Sequence, residues 1–196
     1  GIFSLNRGYT LSFNIQATTD RAYLNEYNYF LQDRLESQIT VSRARRDQFV
    51  QGTFYNYESL RSTDINDNLA TIVLDGEYER RIFPKALGGE LRLRLEAHTH
   101  RRNSDLSTDG PDADLEVDGR DVARFHASAD WLRRFTWGSG LVADLQAGVS
   151  ANLFDITQDA TFAQNHTDLV PQAAIALRYP MIRQGRGGAT QVLEPL

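Results

Sequence analysis

The residues with the clearest chemical capacity in this sequence are His98 and His100, which follow Glu96 at every second position. A β-strand turns successive side chains to opposite faces, so all three would share one face. A His-x-His pair on a strand can ligate zinc, and His126 on the next predicted strand could supply a third ligand. Because the sequence does not fix that third ligand, we favour an ordinary polar lining at this position.

A second candidate is an acidic segment that contains Asp112, Asp114, Glu116 and Asp118. Counted from Asp114, it resembles the beginning of a calcium-binding loop. The twelfth position of such a loop must be a bidentate glutamate, and here it is Phe125. We therefore expect a solvated loop with at most weak affinity for divalent cations.

Catalytic signatures are missing from the sequence, which has no nucleophile elbow, phosphate-binding loop, HExxH or paired-cysteine motif. The chain has no cysteine at all, and its net charge of -5 argues against general affinity for nucleic acid. No run of about 18 apolar residues predicts a transmembrane helix. We expect neither an enzyme nor a protein that carries a cofactor or a metal.

The segment 89–101, GELRLRLEAHTHR, shows what kind of element must position these side chains. Its even positions are all charged or ionisable, and four of its five odd positions from 91 to 99 are apolar. The period of two predicts a β-strand with one apolar and one charged face.

The same alternation recurs along the chain and predicts an all-β protein, an antiparallel up-and-down meander of about eight strands without an internal domain boundary. The predicted strands are 9–17, 37–44, 49–60, 69–80, 89–101, 122–137, 141–152 and 169–179, with loops at 102–119 and 154–168. A short helix is possible within 18–36, and another strand begins near the C-terminus.

The connections between predicted strands alternate between long and short, as they do in outer-membrane barrels. Aromatic residues lie beside the short turns, where a membrane interface favours them: Tyr9, Tyr78, Phe83, Phe135, Trp137 and Tyr179. Strands of about 9–11 residues are long enough to cross a bilayer when tilted. We therefore predict part of a transmembrane β-barrel. A small independent barrel of the porin or adhesin type and a soluble all-β binding domain remain alternatives, because alternation does not say what the apolar face contacts.

The membrane interpretation assigns each face of the predicted sheet to a solvent. The polar side would line the lumen with Glu90, Arg92, Arg94, Glu96, His98, Arg124, His126, Asp130, Asp144 and Gln146. The apolar side would contact lipid through Leu91, Leu93, Leu95, Leu141, Leu145 and Val149. Opposite charges on neighbouring strands suggest cross-strand ion pairs. A lumen that handles anionic cargo is the functional alternative, since arginine suits phosphate.

Short motifs along nearly the whole chain resemble a known family. They are D-x-x-Y-L (Asp20, Tyr23, Leu24) followed by Tyr27, Leu-x-Ser (Leu35, Ser37), Arg-x-His (Arg124, His126), a strand begun by Pro171, and the tail T-Q-x-L-E-P (Thr190, Gln191, Leu193, Glu194, Pro195). In these features the chain resembles the lipopolysaccharide-assembly family LptD, the organic solvent tolerance proteins, in the first half of their C-terminal barrel domain.

The resemblance implies a function in transport rather than catalysis. Members of the family form a large outer-membrane barrel that delivers lipopolysaccharide to the outer leaflet. The resemblance also implies an LptE-type plug lipoprotein and periplasmic Lpt bridge proteins as partners, and outer-membrane lipid as the surroundings. About eight strands cannot complete so large a barrel, so we interpret the chain as a partial one that contributes wall, lumen lining and surface loops.

Overall fold

The computed structural model describes residues 1–19, 33–110, 115–185 and 187–193. Nine strands form one antiparallel sheet in which each strand pairs with its neighbours in sequence. They are β1 Ile2–Ser4, β2 Thr10–Asn14, β3 Arg34–Arg45, β4 Gln48–Ser59, β5 Thr71–Ile82, β6 Glu90–Arg101, β7 Asp121–Thr136, β8 Val142–Thr157 and β9 Gln164–Arg178. A separate hairpin pairs β10 Met181–Gln184 with β11 Thr190–Leu193. Among the described residues, no helix is long and apolar enough to cross a membrane.

The sheet is the predicted up-and-down meander, and within the described residues it is open, with β1 and β9 at its edges. This arrangement is consistent with part of a barrel. The predicted helix within 18–36 falls largely outside the described residues, as do Asp112 and Asp114 of the acidic loop.

Connections of two to seven residues lie at one end of the sheet, and connections of six to nineteen residues lie at the other. Residues 5–9, 46–47, 83–89 and 137–141 join strands at one end, which we call the short-turn end. Residues 15–33, 60–70, 102–120 and 158–163 join them at the other, which we call the long-loop end. Four of the predicted aromatics lie within or next to the short turns: Tyr9, Phe83, Trp137 and Tyr179.

The predicted boundaries are wrong around β8 and β9. Residues 154–168 were expected to form a loop, but β8 continues to Thr157 and β9 already begins at Gln164. The polar sequence of 164–168 resembles a loop in composition, yet its residues pair with β8, as Asp168 does with Asn152. Cross-strand hydrogen bonding has overridden composition at this point.

Two single residues also occupy unexpected positions. Pro171 lies inside β9, opposite Val149, rather than at the start of a strand. An edge strand tolerates proline where the missing N–H would face away from its neighbour. Leu141, expected on a lipid-facing strand, belongs to the turn before β8, and its carbonyl accepts a hydrogen bond from the Trp137 amide at 2.9 Å.

The first strand was not predicted, and the last was predicted without a partner. Ile2–Ser4 forms β1 against β2, a strand too short to show alternation. The C-terminal segment does form a strand, but β11 folds back on β10 instead of extending the nine-stranded sheet.

The sheet has almost no interior of its own. Among the described apolar residues only Leu35, Leu60 and Ala143 are buried. The chain exposes 13905 Å², whereas a compact monomer of 22.2 kDa exposes about 9,400 Å². The apolar face therefore requires another apolar environment to cover it.

The loops at the long-loop end are packed against one another around the carboxylate of Asp159. This side chain is inaccessible to solvent and pairs with Arg120, whose Nε lies 2.6 Å from Oδ2. Its Oδ1 accepts hydrogen bonds at 2.8 Å from the amides of Thr161 and Phe162. The Ala160 amide donates to the Ser107 carbonyl at 2.8 Å. The β6–β7 and β8–β9 loops are thus joined.

This loop junction is expected to weaken in acid. The Phe162 amide, followed by the Thr161 amide and Arg120, holds the pKa of the Asp159 carboxyl below its ordinary value of 3.8. A lowered folded-state pKa gives stabilisation that is present above 3.8 and is lost as pH falls through the folded value. Hydrogen-exchange protection of the Thr161 and Phe162 amides in the full-length protein should therefore decrease as the pH is lowered below about 3.8.

Asn at position 159 separates charge from hydrogen bonding. Asp159→Asn should lower protection at neutral pH and abolish its change with acid, because the amide oxygen can still accept hydrogen bonds but carries no charge. Asp109→Asn, at an exposed position of the β6–β7 loop, is the matched control and should behave as wild type. Equal protection of the wild-type amides above and below the transition would contradict this account.

Candidate functional site: the charged face of the sheet

All ten residues predicted to line a lumen lie on one face of the sheet. The register aligns Arg92 with Asp130 and Glu96 with His126 across β6 and β7. Asp144 on β8 is aligned with Arg134 on β7. Because directly opposed residues point to the same side of a sheet, the complete set shares that side: Glu90, Arg92, Arg94, Glu96, His98, Arg124, His126, Asp130, Asp144 and Gln146.

The carboxylate of Glu90, at the short-turn end of β6, binds two arginines. Arg81 of β5 binds it with two hydrogen bonds, Nε to Oε1 at 2.6 Å and Nη2 to Oε2 at 3.0 Å. Arg92 donates from Nε to the same Oε1 at 2.7 Å. The two guanidinium groups leave the Glu90 side chain only 17% exposed. Paired arginines of this kind fix both strands in register.

Arg94 forms a second centre, surrounded by acidic residues. Its Nε donates to Glu79 Oε1 at 2.8 Å, and its Nη2 binds the same oxygen. Oxygens of Glu77 and Glu96 lie 4.0 and 3.9 Å from its Nε. Glu77 and Glu96 are directly opposite each other in the register. One arginine therefore offsets the repulsion between three carboxylates.

A third centre joins β7, β8 and β9 through Asp144. Arg134 binds its two oxygens at 2.6 and 3.1 Å, and Arg178 Nη2 binds Oδ2 at 2.7 Å. Nearer the long-loop end, the ring nitrogen Nδ1 of His126 lies 2.8 Å from Oδ1 of Asn152. The cross-strand ion pairs predicted from the sequence are therefore present along this face.

The predicted histidine pair is close, but it is not accompanied by a metal-binding set. Nε2 of His98 lies 3.3 Å from Nδ1 of His100. The nearest carboxylate of the neighbouring strand, Asp75, is 4.0 Å from His98 Nδ1. In the part of the chain that the structure describes, no group of three or more His, Cys, Asp or Glu side chains could hold a metal ion.

Strand β5 contributes charged residues to this face that were not predicted. Asp75, Glu77, Glu79 and Arg81 occupy alternate positions and face the charged residues of β6. The positions between these four residues form the apolar stripe of β5, but Gly76 and Arg80 interrupt that stripe. The alternation of β5 is therefore harder to recognise in the sequence. Arg178 lies within the predicted strand 169–179 but was not among the residues predicted to line the lumen.

The opposite face is apolar across the middle of the sheet. Leu91, Leu93 and Leu95 of β6 are opposed by Trp131, Ala129 and Ala127 of β7. Farther along the same face, Val149 on β8 is 39% exposed and Ile175 on β9 is 64% exposed. Two faces of opposite character, with long loops at one end only, are typical of the wall of an outer-membrane β-barrel.

The family comparison defines the kind of barrel. The model of the family described as LptD, LPS transport system D, matches residues 1–196, the whole chain. The chain therefore belongs to the LptD family, whose members are outer-membrane proteins that act in lipopolysaccharide transport and assembly. No curated protein matches it.

Proposed function

We propose that this chain forms part of the wall of a lipopolysaccharide translocon in the outer membrane, as a single barrel segment. Its apolar face contacts lipid, and its charged face lines the lumen through which the glycan of lipopolysaccharide passes. Other parts of the Lpt system, an LptE-type plug lipoprotein and the periplasmic bridge proteins, are its partners. The observation that carries this proposal is the separation of the two faces in a sheet with almost no core.

The lumen assignment is supported by how the charges are arranged. Arg81, Arg94 and Arg134 of the charged face each bind a carboxylate, so that the face can be both wet and rigid. Polar sugars can exchange hydrogen bonds with such a surface without removing a charge from water. Membrane lipid could not cover this face, because charged side chains within hydrocarbon are costly.

Ser128 and Ala129 offer a direct test, since they are adjacent on β7 and point to opposite faces. Ser128 is opposite Arg94 on the charged face, and Ala129 is opposite Leu93 on the apolar face. A photo-crosslinking amino acid at position 128 of the full-length protein, irradiated in cells, is expected to form a product with lipopolysaccharide. The same group at position 129 should instead form products with phospholipid.

Each position serves as the control for the other, because both carry the same reactive group on the same strand. Phospholipid products at position 128 with none at position 129 would reverse the assignment of the faces. Phospholipid products at position 129 without lipopolysaccharide at position 128 would retain the barrel but contradict the route of the glycan.

A further inference from the structure

Three of the arginines on the apolar face lie near the short-turn end and opposite an apolar residue: Arg43, Arg80 and Arg133, which we call the arginine belt. Each is opposed across the sheet by an apolar residue, Val50, Leu93 and Leu145 respectively. Each also lies within three residues of the end of its strand, at Arg45, Ile82 or Thr136. The belt therefore lies on the lipid-facing side of the proposed wall, at the height of its short turns.

Two of the belt arginines, Arg43 and Arg133, are held by rings and neutral groups. Arg43 lies over the ring of Tyr9, 4.4 Å from its centroid, and Arg133 lies over the ring of Phe135 at 4.3 Å. Arg43 Nη2 donates to Gln48 Oε1. Arg133 Nη1 donates to the Leu87 carbonyl. Such stacking positions a guanidinium group without neutralising it.

The charge of the belt is poorly balanced, in contrast to the opposite face. Within the described ranges, neither Arg43 nor Arg133 has an ion pair, and Arg80 approaches only Asp47, at 3.7 Å with both side chains nearly half exposed. Arg45, the last residue of β3, and Arg46 and Lys85 in the adjoining turns add further cations. This end of the apolar face therefore carries excess positive charge beside aromatic rings.

We propose that the arginine belt binds the phosphates of anionic phospholipid in the leaflet at the short-turn end. Long arginine side chains can lie along apolar surface and place their charged ends at the headgroups. The planar guanidinium group matches the geometry of a phosphate. Tyr9 and Phe135 would lie at the interface beside the glycerol region. This inference rests on the proposed orientation of the wall.

Native mass spectrometry of the full-length protein, titrated in detergent with phosphatidylglycerol or phosphatidylcholine, tests the belt. Wild type is expected to bind phosphatidylglycerol in preference to phosphatidylcholine. That affinity should fall about fivefold for each arginine replaced and about a hundredfold for Arg43→Gln, Arg80→Gln and Arg133→Gln together. Inorganic phosphate, added at the same concentrations as the lipid, should not compete with phosphatidylglycerol for binding.

A matched variant removes three positive charges from the other face, with Arg92→Gln, Arg94→Gln and Arg124→Gln, and should retain the phosphatidylglycerol preference. If the triple belt variant does not assemble, the single variants provide the same graded readout. Unchanged phosphatidylglycerol affinity in the belt variants would overturn the proposal, and so would efficient competition by inorganic phosphate. Crosslinking from position 129 to phospholipid distinguishes this failure from an error in the proposed orientation.

Discussion

Replacing Leu95 with arginine is expected to destabilise the membrane-embedded protein by ~2–4 kcal/mol, the cost of an arginine on the lipid face near the bilayer midplane. Leu95 is opposed by Tyr78 and Ala127 and is 39% exposed on the apolar face. Leu93 and Leu145 look equally suitable in the sequence, but the register places them opposite Arg80 and Arg133. They therefore lie nearer the interface, where the cost is smaller.

The measurement is an equilibrium denaturant titration of the full-length protein in phospholipid vesicles. Leu91→Arg is the matched control, because Leu91 is on the same face of the same strand but next to the short turn. It should cost only ~0–1 kcal/mol, since the penalty for arginine falls near the interface. Equal losses at positions 91 and 95 would argue against a depth-dependent lipid environment. If the wild-type protein folded in aqueous buffer and the Leu95→Arg variant did not fold there at all, the result would favour a soluble core.

Gly89→Ala is expected to be the most destabilising change in any of the short turns. It should lower the free energy of unfolding by about 3 kcal/mol. Gly89 is the last residue of the turn before β6, with a φ of +75°, a conformation that side chains rarely adopt. A Cβ at this position would lie 2.3 Å from the Leu132 carbonyl oxygen and 2.9 Å from Arg133 Cβ. The backbone of β7 would have to move, which would disturb the pairing that aligns Glu90 and Leu132.

Gly138→Ala provides the comparison, in the next short turn at the same end of the sheet. No atom lies within 4 Å of a Cβ built there, and its φ is not positive. This change should alter stability by less than about 0.5 kcal/mol. Denaturant titration or the temperature at which the folded form disappears from a gel can compare the two variants. A Gly89→Ala protein as stable as Gly138→Ala would mean that the turn does not constrain the register.

Much of the fold could be predicted because alternation is a local property of a strand. In β6, each of Leu91, Leu93 and Leu95 is assigned to its face by the pleat alone, whatever its neighbours are. The division of the ten predicted polar residues from the apolar ones was correct for this reason. The family was also identified correctly from short motifs.

Ends and exceptions were harder to predict, because they depend on neighbouring strands. Residues 164–168 are polar, yet they extend β9 because β8 continues alongside them. The sequence could not assign β1, which is only three residues long and is defined by its pairing with β2.

Which residues of a strand share a face follows from the amino-acid order alone, because successive side chains alternate between its two sides. Which of them meet across strands depends on how the strands are aligned in the folded sheet. Glu90 is bound by Arg81, nine positions earlier, and Asp144 by Arg178, 34 positions later. Such partners depend on turn lengths and on irregularities such as the register shift between Ile72 and Leu74. These features set the offset between strands, and alternation within one strand carries no information about that offset.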